Sequence, residues 1–215
     1  MTTSALPAPA AKRSGFKTVL WIGLGLTTLF VFITSEVLLV TDYPMYHAYR
    51  RQVISDRHML IPHTLAGIFA LLIGPINFSS RIRERHLRLH RVLGRIYVGA
   101  VFVGAATGVD LAAGRPAFAG TLMQAAAWIA CTTAAFIAAR NRQIVQHRQW
   151  MARSYAVTFT FVSTRVLNLW PRYWSHLGDT FATVGVIAFT LASLLVVDLG
   201  LNWRELTTRR DPSTG

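Results

Sequence analysis

Apolar residues in this chain come in long unbroken runs. Six of them, at roughly 18 to 40, 61 to 78, 92 to 112, 119 to 139, 154 to 170 and 181 to 202, are near the twenty or so residues a helix needs to cross a hydrocarbon core. The pattern predicts an all-α fold, a polytopic membrane bundle of six transmembrane helices forming one domain over 17–204. Outside it lie a Pro/Ala-rich tail at 1–16, expected to be disordered, and a short tail at 205–215. The first run is longer than the apolar core of a secretion signal and no clean small-x-small cleavage site follows it. It is expected to stay as a signal anchor.

Composition strengthens this reading. The chain is 53% hydrophobic and only 14% charged, with a mean hydropathy of +0.39, too apolar for a soluble domain of 215 residues. A net charge of +13 would suggest nucleic acid in a soluble protein, but membrane topology accounts for it. With the N-terminus inside, sixteen Lys and Arg fall on inner segments and six on outer ones. RIRERHLRLHR (81–91) is then expected to be a cytoplasmic loop facing anionic headgroups, with both termini cytoplasmic and no nucleic-acid partner. Tyr43, Tyr46 and Tyr49, and Trp170, Tyr173 and Trp174, fall at the outer boundaries, where amphipathic rings prefer to sit.

The charge rule leaves the histidines unexplained, so the helix faces matter. At 100° per residue, His63 shares a stripe with Gly67, Ala70, Gly74, Asn77 and Arg81. His90 aligns with Gly94, Tyr97, Val101, Gly104 and Gly108. The fourth run carries Gln124, Trp128, Cys131, Ala135 and Ala138, and the fifth carries His147, Met151, Ser154, Thr158 and Arg165. Lipid-facing surfaces favour Leu, Val and Phe, so these small and polar stripes are expected to face one another. Close helix packing alone would explain Gly104 and Gly108. Cys131 has no intrachain partner and reads as a small buried hydrophobe.

Two polar layers follow. Counting rise at about 1.5 Å per residue puts Glu36, His63, Asp110 and Arg165 at a similar outer depth, roughly 7 to 9 Å in. An arginine inside the bilayer costs about 2.5 to 3.5 kcal/mol on insertion scales and needs a partner or water. Glu36 or Asp110 would pair with Arg165, unless it snorkels to the headgroups. The inner layer holds His90, Arg95, His147, Arg153 and Asp198.

HRVLGRIY (90–97) and HRQWMARSY (147–155) echo each other: a His-Arg pair, then an Arg and a Tyr about two turns on. Two histidines from parallel helices at one depth could ligate haem iron or another metal axially, with Arg95 or Arg153 on carboxylates and Tyr97 beside them. The plainer alternative is that both His-Arg pairs cap helix starts and touch lipid phosphate.

HTLAGIFALLIGPINF (63–78), HRVLGRIY (90–97) and HRQWMARSYAVTFTFVSTR (147–165) together resemble the bacterial membrane-protein family catalogued as domain of unknown function 2306. The resemblance implies a multi-pass protein of the bacterial inner (plasma) membrane. It also implies that His63, Arg81, His90, Arg95, His147, Arg153 and Arg165 are family-type positions, and it carries no activity. The architecture is more loosely similar to transmembrane b-type cytochromes.

Three functions are consistent with these residues. The first is haem b binding between the third and fifth helices, with electron transfer to a redox partner or quinone. The second is a transporter, channel or lipid-binding protein with a polar cavity, flexing at Gly74-Pro75. The third is a structural accessory subunit. No phosphate-binding loop, H-E-x-x-H, nucleophile elbow or CxxC is present.

Overall fold

The computed structural model describes residues 55–168 and 178–207, together with Ile22, Gly23, Gly25, Leu26, Leu29 and Phe30 in the first apolar run. Every element among the described residues is helical: α1 (Arg57–Phe78), α2 (Ser80–Arg85), α3 (Leu87–Ala112), α4 (Phe118–Arg140), α5 (Ile144–Asn168) and α6 (Gly178–Thr207). Four spans, Arg57–Phe78, Leu87–Ala112, Phe118–Arg140 and Thr183–Trp203, are long and apolar enough to cross a membrane. The first expected span, 18–40, falls mostly outside the described residues. The fold is therefore an all-α membrane bundle, as its hydropathy pattern predicts.

α5 has 25 residues, ample for a crossing, yet is not among the four apolar spans. Its position explains its composition. It packs against α4, α6 and α1, so much of its surface meets protein, and polar side chains there find partners. α1, α3, α4 and α5 surround a common core, and α6 lies against α4 and α5. Large apolar side chains point outward instead, Leu65, Phe69 and Leu72 on α1 and Leu191, Leu195 and Val196 on α6 among them. In lipid this is the favourable arrangement, because acyl chains solvate Leu and Phe as well as a protein core does.

The core is built from small residues closed around a few large ones. Ala66, Ala70, Ala100, Val101, Ala105, Ala125 and Ala135 are buried with Tyr97 and Trp128. All five residues of the stripe expected on the fourth run, Gln124, Trp128, Cys131, Ala135 and Ala138, are buried. Gly104 admits the Trp128 indole: a Cβ there would lie 3.2 Å from the ring. Close packing is therefore what this glycine serves.

Two expectations change. RIRERHLRLHR is not a loop: α2 runs to Arg85 and α3 resumes at Leu87, with His86 (φ −133°, ψ 57°) as the break. Arg, Leu and Glu are good helix formers, and charge alone does not oppose helix at a membrane surface. The third and fifth helices also begin earlier than their apolar runs, at Leu87 and Ile144, while the last continues to Thr207. Polar turns at helix ends add nothing to an apolar run, so hydropathy misses them.

Short turns connect the long helices. Gly114, at φ +70°, lies between α3 and α4. After α4, Gln143 N–H donates to the Ala138 carbonyl (2.9 Å) and Arg142 N–H to Ala139 (3.2 Å), the paired bonds of a Schellman motif. This places Arg142 at φ 60°, where glycine is usual.

Candidate functional site

At mid-bundle the polar stripes of α3, α4 and α5 meet in one hydrogen-bonded network. Tyr97 on α3 is fully buried, with its hydroxyl 2.9 Å from both Ser154 Oγ and Thr158 Oγ1 on α5. Trp128 Nε1–H donates to Thr158 Oγ1 (2.9 Å), and Thr132 Oγ1 lies 2.6 Å from Ser154 Oγ. The remaining hydroxyl protons go to backbone: Thr132 to the Trp128 carbonyl (2.7 Å) and Thr158 to that of Ser154 (3.0 Å). One turn further, Gln124 Nε2–H donates to Thr160 Oγ1. Each of these buried groups has a partner. In a medium that offers none, such saturation ties α3, α4 and α5 together.

At the arginine-rich end, the symmetry suggested by the two His-Arg motifs takes physical form. His90 is the fourth residue of α3 and His147 the fourth of α5. His147 Nδ1 sits 2.9 Å from the Ala135 carbonyl, which only accepts, so Nδ1–H donates to it. A backbone carbonyl holding the ring in this way is how metal-ligating imidazoles are commonly oriented. His90 Nδ1 is buried with no hydrogen-bond partner, and so is Asn77 Oδ1 at the end of α1.

The other candidate residues are distributed differently. Arg153 Nε–H donates to Asp198 Oδ1 at 2.7 Å, and its guanidinium lies 4.7 Å from the Trp150 ring centre. It is therefore held by α6 rather than directed toward the histidines. Arg95 is exposed. Tyr97 engages its hydroxyl in the central network. Asp110 is exposed near the end of α3. Glu36 and the Arg165 side chain lie outside the described residues.

His63 forms a separate centre. Its Nδ1 is 3.0 Å from the Gly104 carbonyl and 3.3 Å from Thr107 Oγ1, and its ring packs edge-on to Phe161. Gly108 makes room for it, since a Cβ there would come within 3.1 Å of the ring. Among the described residues no group of three or more His, Cys, Asp or Glu could hold a metal ion.

Sequence reasoning missed Thr132 as a network member and Asn77 as an unpaired group. Asn77 was visible on the small-residue stripe of α1, where an amide among Gly and Ala is the signal.

Over residues 60–201 the chain matches the model of a family described as "Predicted membrane protein (DUF2306)". The chain belongs to this family. The match extends from α1 to α6 and includes both His-Arg motifs. No curated protein and no solved structure matches the chain.

Proposed function

We propose that this protein binds b-type haem between His90 and His147 and passes electrons within the membrane, to a redox protein or a quinone. The observation that supports the reading is the matched pair of imidazoles: the same register on two helices, with one ring held through Nδ1 by the Ala135 carbonyl.

The residues at this end suit the group. Two imidazoles would supply a donor set for iron, and Arg91 follows His90 directly in the chain. Gly94, one turn above His90, leaves its side-chain position open except for the Asn77 amide 3.8 Å away. Two turns in, the Tyr97–Ser154 contact closes the space between α3 and α5. Haem, when bound, would supply one-electron chemistry; the protein's part is to hold it, orient the two rings and exclude water from the interior side. The competing idea of a polar transport path finds its central stretch occupied by the saturated network.

Protein purified from haem-replete cells is expected to show a Soret band, lost in His90→Ala and in His147→Ala but kept in His63→Ala. A folded, colourless preparation would sink the proposal.

A further inference from the structure

α5 lies recessed between α1 and α6. It forms the floor of a cleft of about 530 Å³, with Ala152, Ala156 and Ser163 on the floor, Phe78 of α1 on one wall and Ala192 and Ser193 of α6 on the other. No α5 residue from Met151 to Thr164 is exposed. The outward faces of α1 and α6 carry Leu65, Phe69, Leu72, Leu191 and Leu195, as lipid favours. The cleft instead presents Ala and Ser, the residue types that let two helix backbones approach closely in a membrane.

The hydroxyls lining the cleft require no polar ligand. Thr160 donates to the Val157 carbonyl (2.6 Å), Ser163 to that of Phe159 (3.3 Å) and Ser193 to that of Thr190 (2.8 Å), each within its own helix. A helix with small side chains on its facing side fits such a surface better than a solute does.

The first apolar run supplies such a helix. It has about the length of one span, and Ile22, Leu26, Leu29 and Phe30, on one side of it, are exposed. At 100° per residue Thr27, Thr28, Val31 and Ser35 fall on the opposite side, which by the rule that orders the other helices is the side that meets protein. Successive spans alternate in direction, so this run, which precedes α1, points the same way as α5. Thr28 and Ser35 stand seven residues apart, as do Ala156 and Ser163, a spacing at which two helices running side by side meet at both levels. α1, the next span in the chain, forms one wall of the cleft, and consecutive elements are usually neighbours in space.

We infer that residues 18–40 dock as a helix in the cleft between α1 and α6, with Thr28 and Ser35 against Ala156 and Ser163. The bundle is then closed on its α5 side by its own first span.

The test uses the full chain in native membranes, with Cys131→Ala removing the one natural cysteine. A disulfide needs its Cβ atoms about 3.5 to 4.5 Å apart. Oxidation is expected to join Thr28→Cys to Ala156→Cys, or Ser35→Cys to Ser163→Cys, within one chain, and to leave Leu26→Cys, on the opposite side of the run, unjoined to Ala156→Cys. Peptide mass spectrometry and gel mobility identify the bridge. Bridges formed only between two chains would put a second copy in the cleft, and no bridge at either level would leave the cleft to acyl chains; either result overturns the inference.

Thermal unfolding of the full chain gives an independent reading. Ala156→Leu should lower the midpoint by a few degrees, because a docked helix cannot give way to the larger side chain as lipid can. Ala106→Leu, at an exposed position on α3, should leave it unchanged. Equal midpoints for the two variants would mean that both positions face lipid, and would likewise overturn the inference.

Discussion

The Tyr155 hydroxyl on α5 donates to the Leu71 carbonyl on α1 at 3.2 Å, the carbonyl whose helical partner would have been the N–H that Pro75 lacks. A proline in mid-helix leaves one acceptor free, and in lipid that acceptor has no water to turn to. Here the neighbouring helix supplies the donor. Tyr155→Phe should therefore destabilise the bundle by about 0.5 to 1.5 kcal/mol in the wild-type background and by much less beside Pro75→Ala, which restores the N–H. A double-mutant cycle of unfolding in detergent measures the difference. Equal costs in both backgrounds would show that the hydroxyl does not serve the proline gap.

Gly74 adjoins the same contact. A Cβ there would run into the Tyr155 ring, whereas at Gly99 it would meet nothing within 4 Å. Alanine is the better helix former by about 1 kcal/mol, so Gly99→Ala should be neutral or stabilising. Gly74→Ala should lose about 1 to 3 kcal/mol through displacement of the ring and of the Phe78 edge against it. Comparing the two unfolding midpoints checks this, and similar shifts would argue against close α1–α5 packing.

For the central network, Tyr97→Phe removes the hydroxyl shared by Ser154 and Thr158 while keeping the ring. Measured interhelical hydrogen bonds in membranes average about 0.6 kcal/mol and reach about 1.7, so a loss in that range is expected. Because Trp128 also donates to Thr158, Trp128→Phe combined with Tyr97→Phe should depart from additivity. Purely additive losses would mean that the two donors act independently.

The helices and their inward faces were legible because both follow from one physical rule: lipid accepts large apolar side chains and leaves small and polar ones to pair inside. That rule put Gln124, Trp128, Cys131, Ala135 and Ala138 on one stripe, and all five are buried. It also aligned Ser154 and Thr158 with each other, though not with Tyr97, whose position depends on how far α3 stands from α5. Pairing was harder to read than placement. Arg153 could serve an anionic ligand or Asp198, and only the packing of α6 against α5 decides for Asp198. The helical state of 81–85 escaped a hydropathy reading because arginine removes the apolar signal without removing helix propensity.

Arg153 and Asp198 provide a test of how much this pairing matters. The Asp198 side chain is 44% exposed and that of Arg153 is 19%, so their attraction is partly screened. Asp198→Asn should cost no more than about 1 kcal/mol, and less at high salt. Arg153→Ala should cost more, since it also removes the guanidinium from the Trp150 face. Unfolding at low and high ionic strength separates the contributions. An Asp198→Asn effect as large as that of Arg153→Ala and insensitive to salt would show that stacking contributes little.

The turn into α5 holds the last prediction. Arg142 ends α4 at φ 60°, a conformation that crowds the Cβ of any L-residue and that glycine adopts freely. Arg142→Gly relieves this crowding, offset partly by the greater freedom glycine gains in the unfolded chain, for a net gain of up to about 1 kcal/mol. Arg142→Val, branched at the crowded atom, should lose about as much or more. The side chain is exposed, so neither change disturbs packing. His147 N–H donates to the Gln143 carbonyl one residue past the turn, at 2.9 Å, so the same geometry sets where the imidazole enters the bundle. Unfolding midpoints should rank Gly above Arg above Val, and any cofactor affinity that depends on His147 should weaken in the valine variant alone. The reverse stability order would mean that the arginine contributes a surface contact stronger than the strain it carries.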